Sequence, residues 1–388
     1  MSDNAPNESP RPVVALFSFE IHLLVARKRP PTSSNEVSSD DSEDYPHRNL
    51  WVCPVDAANP WEAIQERCRL IFHDHKAPYR FKVYQFDDVG GQEYRDDFGR
   101  DLEPTKYSHW TVGRSETAVA FSGAPREYLW CGICIRSPFL HEADLDDDNT
   151  TYKKVVSALR RELRIHVNST CRHHVLVRPD GEVAMDMVMA KKLTALVLMT
   201  ERAAWNLGPY SNAILEDMHQ YIPIRLRQCE AIIGLLYLVW RERTMEGLRA
   251  LCGQMDERET SFSILPETTD PPGPPAAEFR YANWHPFPFL DTFDLWNRLA
   301  VQFMKRAALG SEQFRRQARV MDVLILIFRD EKEGTHKVLA EELGLKDFKV
   351  LLELVIEACQ RGHRLDPERL DSSGFLVNLE NFDARDRN

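Results

Sequence analysis

The sequence predicts an α+β protein, and three observations predict it. Segments in which apolar and polar side chains alternate every second residue recur between Val13 and Tyr281. Segments with helical periodicity separate them and take over toward the end of the chain. Apolar residues make up 43% of 388, enough to close a sizeable core, while charged residues at 28% are ordinary for a folded protein. Against 49 Lys and Arg stand 60 Asp and Glu, so the formal charge is −11 and no nucleic-acid partner is expected, for want of basic excess over the phosphates.

Residues 1–12 read as a loose polar tail without the basic start and apolar stretch of a secretory signal. Val13–Ala26 is the first strand: Phe17, Phe19, Ile21 and Leu23 share one parity, Glu20 and His22 the other. Pro30–Pro46, rich in Ser and acidic residues with little to bury, is expected to be a disordered insertion. Asn59–Phe72 is an amphipathic helix with Pro60 at its first position. Strand candidates follow at Tyr79–Phe86, His109–Val112, Ala118–Phe121 and Tyr128–Arg136, the last closed by Ser137 and Pro138.

A helix is predicted over Thr151–Ile165, a short strand over His173–Val177, a turn at Pro179-Asp180-Gly181 and a long helix over Asp186–Asn206. Arg227–Gln254 reads as helical and Pro266–Pro275 as a second disordered insertion or surface loop. Glu278–Tyr281 is one more strand, and helices follow at Asp291–Ala308, Glu312–Arg329 and Lys346–Gln360. The expected organisation is one domain over residues 13–310, a helical extension over 311–370 and a tail over 371–388.

The longest apolar run, Ala231–Trp240, is too short to span a bilayer, so it reads as a buried helix and no membrane partner is expected. Eight scattered cysteines read as reduced thiols rather than a disulfide framework, which points to an intracellular, cytoplasmic protein.

The chemistry-bearing residues share a pattern. Strand parity sets Glu20, His22, Cys134, Arg136, Arg172, His174, Glu278 and Arg280 on the faces opposite the apolar ones. A solvated sheet would give the same alternation. Its usual Lys, Thr and Ser are missing, however, and Glu, His, Cys and Arg are ligand- and phosphate-binding groups. Trp130–Cys134, WCGIC, imitates a thioredoxin-type motif, but a strand would aim Cys131 and Cys134 to opposite sides. The same parity argues against a zinc set of Cys131, Cys134, Cys171 and His174, and leaves Cys134 with His174 and His22 as a softer metal site. His73 and His75 read as helix C-terminal groups, and Arg160, Arg161 and Arg164 as a solvated helix face. No Gly-x-Gly-x-x-Gly, Gly-x-x-x-x-Gly-Lys-Ser/Thr or Gly-x-Ser-x-Gly motif occurs.

In order along the chain stand FSFEIHLLV, HWTVGRSETAV, CGICIRSP, VNSTCRHHVLV, KKLTALVLMTE, and EFR before a Trp-containing helix. By these segments, spread between Val13 and Gly310, the chain resembles the amidoligase-like family of the glutamine synthetase and glutamate–cysteine ligase superfamily. The resemblance implies an antiparallel sheet curved around a central cavity with helices on its outer face. It also implies use of ATP and magnesium to activate a small-molecule carboxylate as an acyl phosphate, which an amine captures.

By that resemblance Glu20, His174 and Glu278 would be metal ligands, while Arg136 and Arg280 would hold phosphate or the substrate carboxylate. His22 stands where the family's Glu-x-Glu has its second Glu, and Cys134 where a Gly-x-Glu-x-Arg-Ser-Pro stretch has its Glu. Of the family's Cys-Gly-x-His-Val-His, His174 is kept and Leu176 replaces the second His; Ser115-Glu116-Thr117 stands for an Asp-x-Ser, and an Arg near Pro209–Asn212 is missing. Magnesium prefers oxygen ligands, so a thiol and an imidazole in place of two carboxylates remove charge from such a site. Two functions follow: an ATP-dependent carboxylate–amine ligase, or a degenerate pseudoenzyme that uses the same cavity to bind a metabolite or a protein.

Overall fold

The computed structural model describes residues 13–30, 50–79, 109–120, 124, 127–166, 171–181, 184–204, 229–252, 262–266, 268–269, 272–273, 275–283, 290–327, 341 and 343–345. The strands are β1 (Ala15–Lys28), β2 (Thr111–Arg114), β3 (Tyr128–Arg136), β4 (Leu140–His141), β5 (Ile165–His166), β6 (Arg172–Pro179), β7 (Phe262–Leu265), β8 (Thr268–Thr269), β9 (Pro272–Gly273) and β10 (Ala276–Asn283). The helices are α1 (Pro60–Asp74), α2 (Thr151–Glu162), α3 (Met187–Ala204), α4 (Cys229–Arg241), α5 (Met245–Leu251), α6 (Leu290–Ala307) and α7 (Ser311–Ile327). Eight strands form an open antiparallel sheet in the order β2-β3-β1-β6-β10-β7, with β4 and β5 pairing with β1. Among the described residues, no helix is long and apolar enough to cross a membrane.

The described residues fall into two compact units, one strand-rich, within Ser18–His174 and Ala282–Asp294, the other helical, within Met1–Phe17, Val175–Tyr281 and Leu295–Gln360. In the strand-rich unit the apolar parity of β1 builds the core. Phe19 is fully buried and meets Trp110, Tyr152, His173 and Phe293 edge-on at ring centroid distances of 4.7–6.1 Å. Phe72 of α1 closes over Trp110 at 5.4 Å, and His173 stacks on Phe293 at 4.4 Å. Asn59 caps α1 by accepting the Trp61 N–H, and Gln65 of the same helix donates to the Val112 carbonyl of β2. His73 lies in the last turn of α1 and His75 is its C-cap.

A buried polar knot sits beside this core. Tyr152 donates to Asp294, whose second oxygen pairs with Lys153 at 3.1 Å. Arg160 is half-buried, and burial pushes its guanidinium down to about 10 despite Asp294 nearby. The solvated face expected of Arg160, Arg161 and Arg164 therefore describes Arg161, which is exposed, but not the other two.

In the helical unit α3 packs against α4, α5 and α7. Lys191 donates to the Trp240 carbonyl and Lys192 to that of Leu309, which ties α3 to the ends of its neighbours. Phe279 of β10 lies between Phe262 and Phe303 at 5.2 and 5.8 Å.

Several predicted elements end or break elsewhere than periodicity places them, because strand partners or single capping hydroxyls intervene. The β1 ladder runs on to Lys28 because Arg27 and Lys28 still face Leu129 and Tyr128. The helix expected to reach Ile165 stops at Glu162: Leu163 turns extended, Arg164 bonds to Trp51, and Ile165–His166 become β5 against β1. Residues 118–120 form no strand, since Ser115 Oγ accepts the Ala118 N–H and closes a turn. The helical stretch Arg227–Gln254 is broken where Thr244 caps α5 by accepting the Gly247 N–H. Within Pro266–Pro275, expected as disordered, Thr268 and Thr269 pair with Gly273 and Pro272. The insertion Pro30–Pro46 beyond its first residue, the strand Tyr79–Phe86 beyond Tyr79, the helix Lys346–Gln360 and both tails lie outside the described residues.

Gly132 is required by packing. A Cβ there would overlap the Ala118 carbonyl and stand 2.8 Å from that of Ser115, whereas one at Gly113 meets nothing within 4 Å. Gly132→Ala is expected to cost about 1–3 kcal/mol by overpacking, and Gly113→Ala well under that, as read by denaturant unfolding.

His166 is fully buried against Trp130 with neither ring nitrogen hydrogen-bonded, and burial lowers it to about 4. Below the ordinary His value of about 6.5 the unfolded chain binds a proton that the folded chain refuses. Stability should therefore fall by about 3 kcal/mol between pH 6.5 and 4, and His166→Phe should flatten that part of the pH–stability curve.

Candidate functional site

The parity that sends Phe19 and Ile21 into the core turns Glu20 and His22 to the other face of β1. Register then sets their partners: Glu20 lies opposite Arg136 and His22 opposite Cys134, while Gly113 and Thr111 of β2 continue the two rows. Just beyond, Ser137 is held at three points: its Oγ accepts the Phe19 N–H at 2.9 Å, its N–H donates to the Phe19 carbonyl at 2.9 Å, and its carbonyl accepts from Ser18 Oγ at 2.8 Å. These bonds between buried serines pin the register that makes the site.

Glu20 accepts two bonds from Arg136 on Oε2, one of them from Nε at 2.7 Å, and one from His22 Nε2 on Oε1 at 2.9 Å. Burial alone would raise its carboxyl. The Arg136 charge, the His22 hydrogen bond and the fields of His22 and His174 outweigh burial and hold it well below 4.5. An ionised Glu20 can only accept, so His22 Nε2 carries a proton, and in the neutral ring Nδ1 accepts from Ser115 Oγ at 2.8 Å. Thr117 Oγ1 stands 3.2 Å from both Nδ1 and Ser115 Oγ. The ring of His174 lies beside that of His22, with centroids 5.1 Å apart.

Of the residues singled out in the sequence, Glu20, His22, Cys134, Arg136 and His174 thus gather in the strand-rich unit. Glu278 and Arg280 lie on β10 in the helical unit and pair with each other at 2.5 Å, with Ser263 donating to the same Glu278 oxygen. Cys131 faces the opposite side of β3 from Cys134, and burial pushes its thiol up to about 11. This removes both the zinc set that includes it and a WCGIC dithiol. The hydroxyls of Ser115 and Thr117 are the members that sequence reasoning assigned no role; their alignment with an Asp-x-Ser pattern was the available signal.

The donors Glu20, His22 and Cys134 offer one ligand atom each within 4.8 Å of one another. One carboxylate already matched by an arginine, an imidazole and a thiol form a poor magnesium site, because that ion demands several hard oxygen ligands. Ser115, His22 and Glu20 form a line with the connectivity of a nucleophile, base and orienter. Ser115 is buried and its Oγ also holds the Ala118 N–H, so its hydroxyl serves as a support for the ring.

A cavity of about 840 Å³ opens along the same face of β3. Tyr128, Trp130 and Gly132, of one parity with Cys134 and Arg136, line it together with Trp61, Arg29 and Arg114. The Arg114 guanidinium lies 5.2 Å over the Trp61 ring, and Arg29 donates to the Tyr128 carbonyl. Ser115 borders both this cavity and His22. No family model, no curated protein and no solved structure matches the chain.

Removing one member of the buried ion pair leaves the other charge unmatched. Glu20→Gln is expected to destabilise by about 3–5 kcal/mol, and the joint replacement Glu20→Leu with Arg136→Met by much less. Because the folded-state carboxyl is depressed, the pair's contribution is complete above pH 4.5 and is lost as the pH falls toward the folded value. Urea unfolding at pH 7 and pH 4 measures both effects.

Proposed function

We propose that this protein is a catalytically altered relative of the amidoligase-like carboxylate–amine ligases, a pseudoenzyme that binds a small anionic metabolite along the ionisable face of its sheet. The observation that carries this reading is that both carboxylates standing at ligase-like ligand positions are matched internally: Glu20 by Arg136 and His22, Glu278 by Arg280. Magnesium held with a nucleotide needs uncompensated carboxylates, and here the negative charge is already neutralised. The antiparallel sheet, and the order in which Glu20, Arg136 and His174 occur along the chain, support the family side of the reading.

The cavity supports the ligand class. Two arginines supply donors for a carboxylate or phosphate, and Trp61, Tyr128 and Trp130 supply flat apolar walls for a planar body. A curved sheet with helices on its outer face, enclosing this cavity, is part of the same proposal.

The test is calorimetric titration of the reduced full-length protein with a non-hydrolysable ATP analogue, with and without magnesium, beside the double variant Glu20→Ala, Glu278→Ala. The expected result is no magnesium-dependent increment in binding and no difference in the double variant. Magnesium-dependent binding that the double variant loses would overturn the proposal and restore the ligase. For the ligand, a panel of aromatic carboxylates and phosphates is followed by tryptophan quenching. Binding should weaken about tenfold or more in Arg114→Ala, in line with one charged hydrogen bond.

A further inference from the structure

The resemblance implies magnesium at the positions of Glu20, His22 and Cys134, but the donors that stand there, a carboxylate, an imidazole and a thiol, have the composition of a different metal site. We propose that it binds a borderline-soft divalent cation, zinc by its chemistry, through Glu20 Oε1, His22 Nε2 and Cys134 Sγ. This rests on reading the face as something other than a magnesium site.

The spacing is close to what such an ion needs. Zinc holds its ligands at about 2.0–2.3 Å, so donors around a tetrahedral ion stand roughly 3.3–3.8 Å apart. One ligand atom from each of the three residues lies within 4.8 Å of the others, and the hydrogen-bonded Glu20 Oε1 and His22 Nε2, 2.9 Å apart, need to part by only about 0.5 Å for the ion to enter between them. The donor set of thiolate, imidazole and carboxylate belongs to zinc and its neighbours rather than to magnesium or calcium.

The outer groups carry the inference further. A metal-binding residue is usually oriented by a partner on the atom that does not face the metal. Glu20 has Arg136 on Oε2, which leaves Oε1 for the ion. His22 has Ser115 on Nδ1 at 2.8 Å, which leaves Nε2. Cys134 needs no such partner for aim, because its position directly opposite His22 in the ladder sets it on the same face. His174 stands beside His22 and, with water, is the candidate for the fourth position.

Binding balances without redox change. In the metal-free chain a proton on Nε2 lies between His22 and Glu20 Oε1, and the ion takes its place. The ring then carries its proton on Nδ1 and donates it to Ser115 Oγ, whose own O–H turns to Thr117 Oγ1 at 3.2 Å. The Cys134 thiol loses its proton to solvent as the sulfur–metal bond forms. Glu20 and the thiolate bring two negative charges to the ion, and with Arg136 as an outer partner of Glu20 the bound cluster carries one net positive charge. One proton is released for each ion bound.

The test titrates the full-length protein, reduced with a phosphine, with cobalt(II) alone and then displaces cobalt with zinc. One equivalent of cobalt should give a thiolate charge-transfer band and the intense visible bands of tetrahedral coordination. The band should be lost in Cys134→Ser and kept in Cys131→Ser, whose sulfur faces the other way. Zinc calorimetry in two buffers of different ionisation enthalpy should give one proton released per ion. A measurement on the unaltered chain guards against a variant that fails to fold: zinc should protect Cys134 from alkylation, read by peptide mass spectrometry. A cobalt spectrum without a thiolate band, a band that survives Cys134→Ser, or equal alkylation of Cys134 with and without zinc would overturn the proposal. These outcomes are separate from the nucleotide titration, where magnesium-dependent binding would instead sink the reading of the face on which the metal site rests.

Discussion

The two-residue pleat of β1 is the constraint on which the rest depends. Successive side chains of a strand point to opposite faces, so one segment, Phe17 to Leu23, must supply both a core and a site. Phe19 and Ile21 are fully buried on one face, and Phe19 collects rings from Trp110, Tyr152, His173 and Phe293. Glu20 and His22, one residue away in each case, collect Arg136, Cys134, Ser115 and His174 on the other. A slip of one residue would exchange the two sets, which gives physical meaning to the hydrogen bonds of Ser18 and Ser137 that hold the ladder in place.

Placing ions on a half-buried sheet face has an energetic consequence. Desolvation opposes ionisation of Glu20, and only the adjacent guanidinium and the two imidazoles reverse that opposition. The pair is therefore less a source of stability than a condition for having a charged face at all. The knot of Lys153, Asp294 and Tyr152 follows the same rule, with each buried charge facing an opposite one and a hydroxyl completing the set. His166 obeys it in reverse: neither ring nitrogen has a hydrogen-bonded partner, and the ring stays neutral.

How much of this was legible in the sequence depends on range. β3 falls on the predicted residues, and α1, α3, α6 and α7 begin and end within a few residues of theirs, because periodicity and Pro60 are local signals. The ends of β1 and α2, the turn at residues 115–118 and the break before α5 were not legible in full. Each is set by a partner distant in sequence or by one capping hydroxyl within an otherwise helical pattern. The ionisable face was legible as a parity class, residue by residue. Its membership was not: Ser115 and Thr117 belong to no strand alternation, and they reach His22 only because Gly132 lets their turn lie against β3.

By itself the sequence determined which residues share a strand face, since parity is a property of the covalent chain once it is extended. It also determined that Cys131 and Cys134 diverge. Only the tertiary structure decided what those residues do to one another. That Arg136 neutralises Glu20, that His22 is held between a carboxylate and a serine, and that a cavity with two arginines continues the same face are consequences of register and of packing between segments about 90 to 120 residues apart in the chain. Alternation carries no information about register, because every even shift of a strand preserves it.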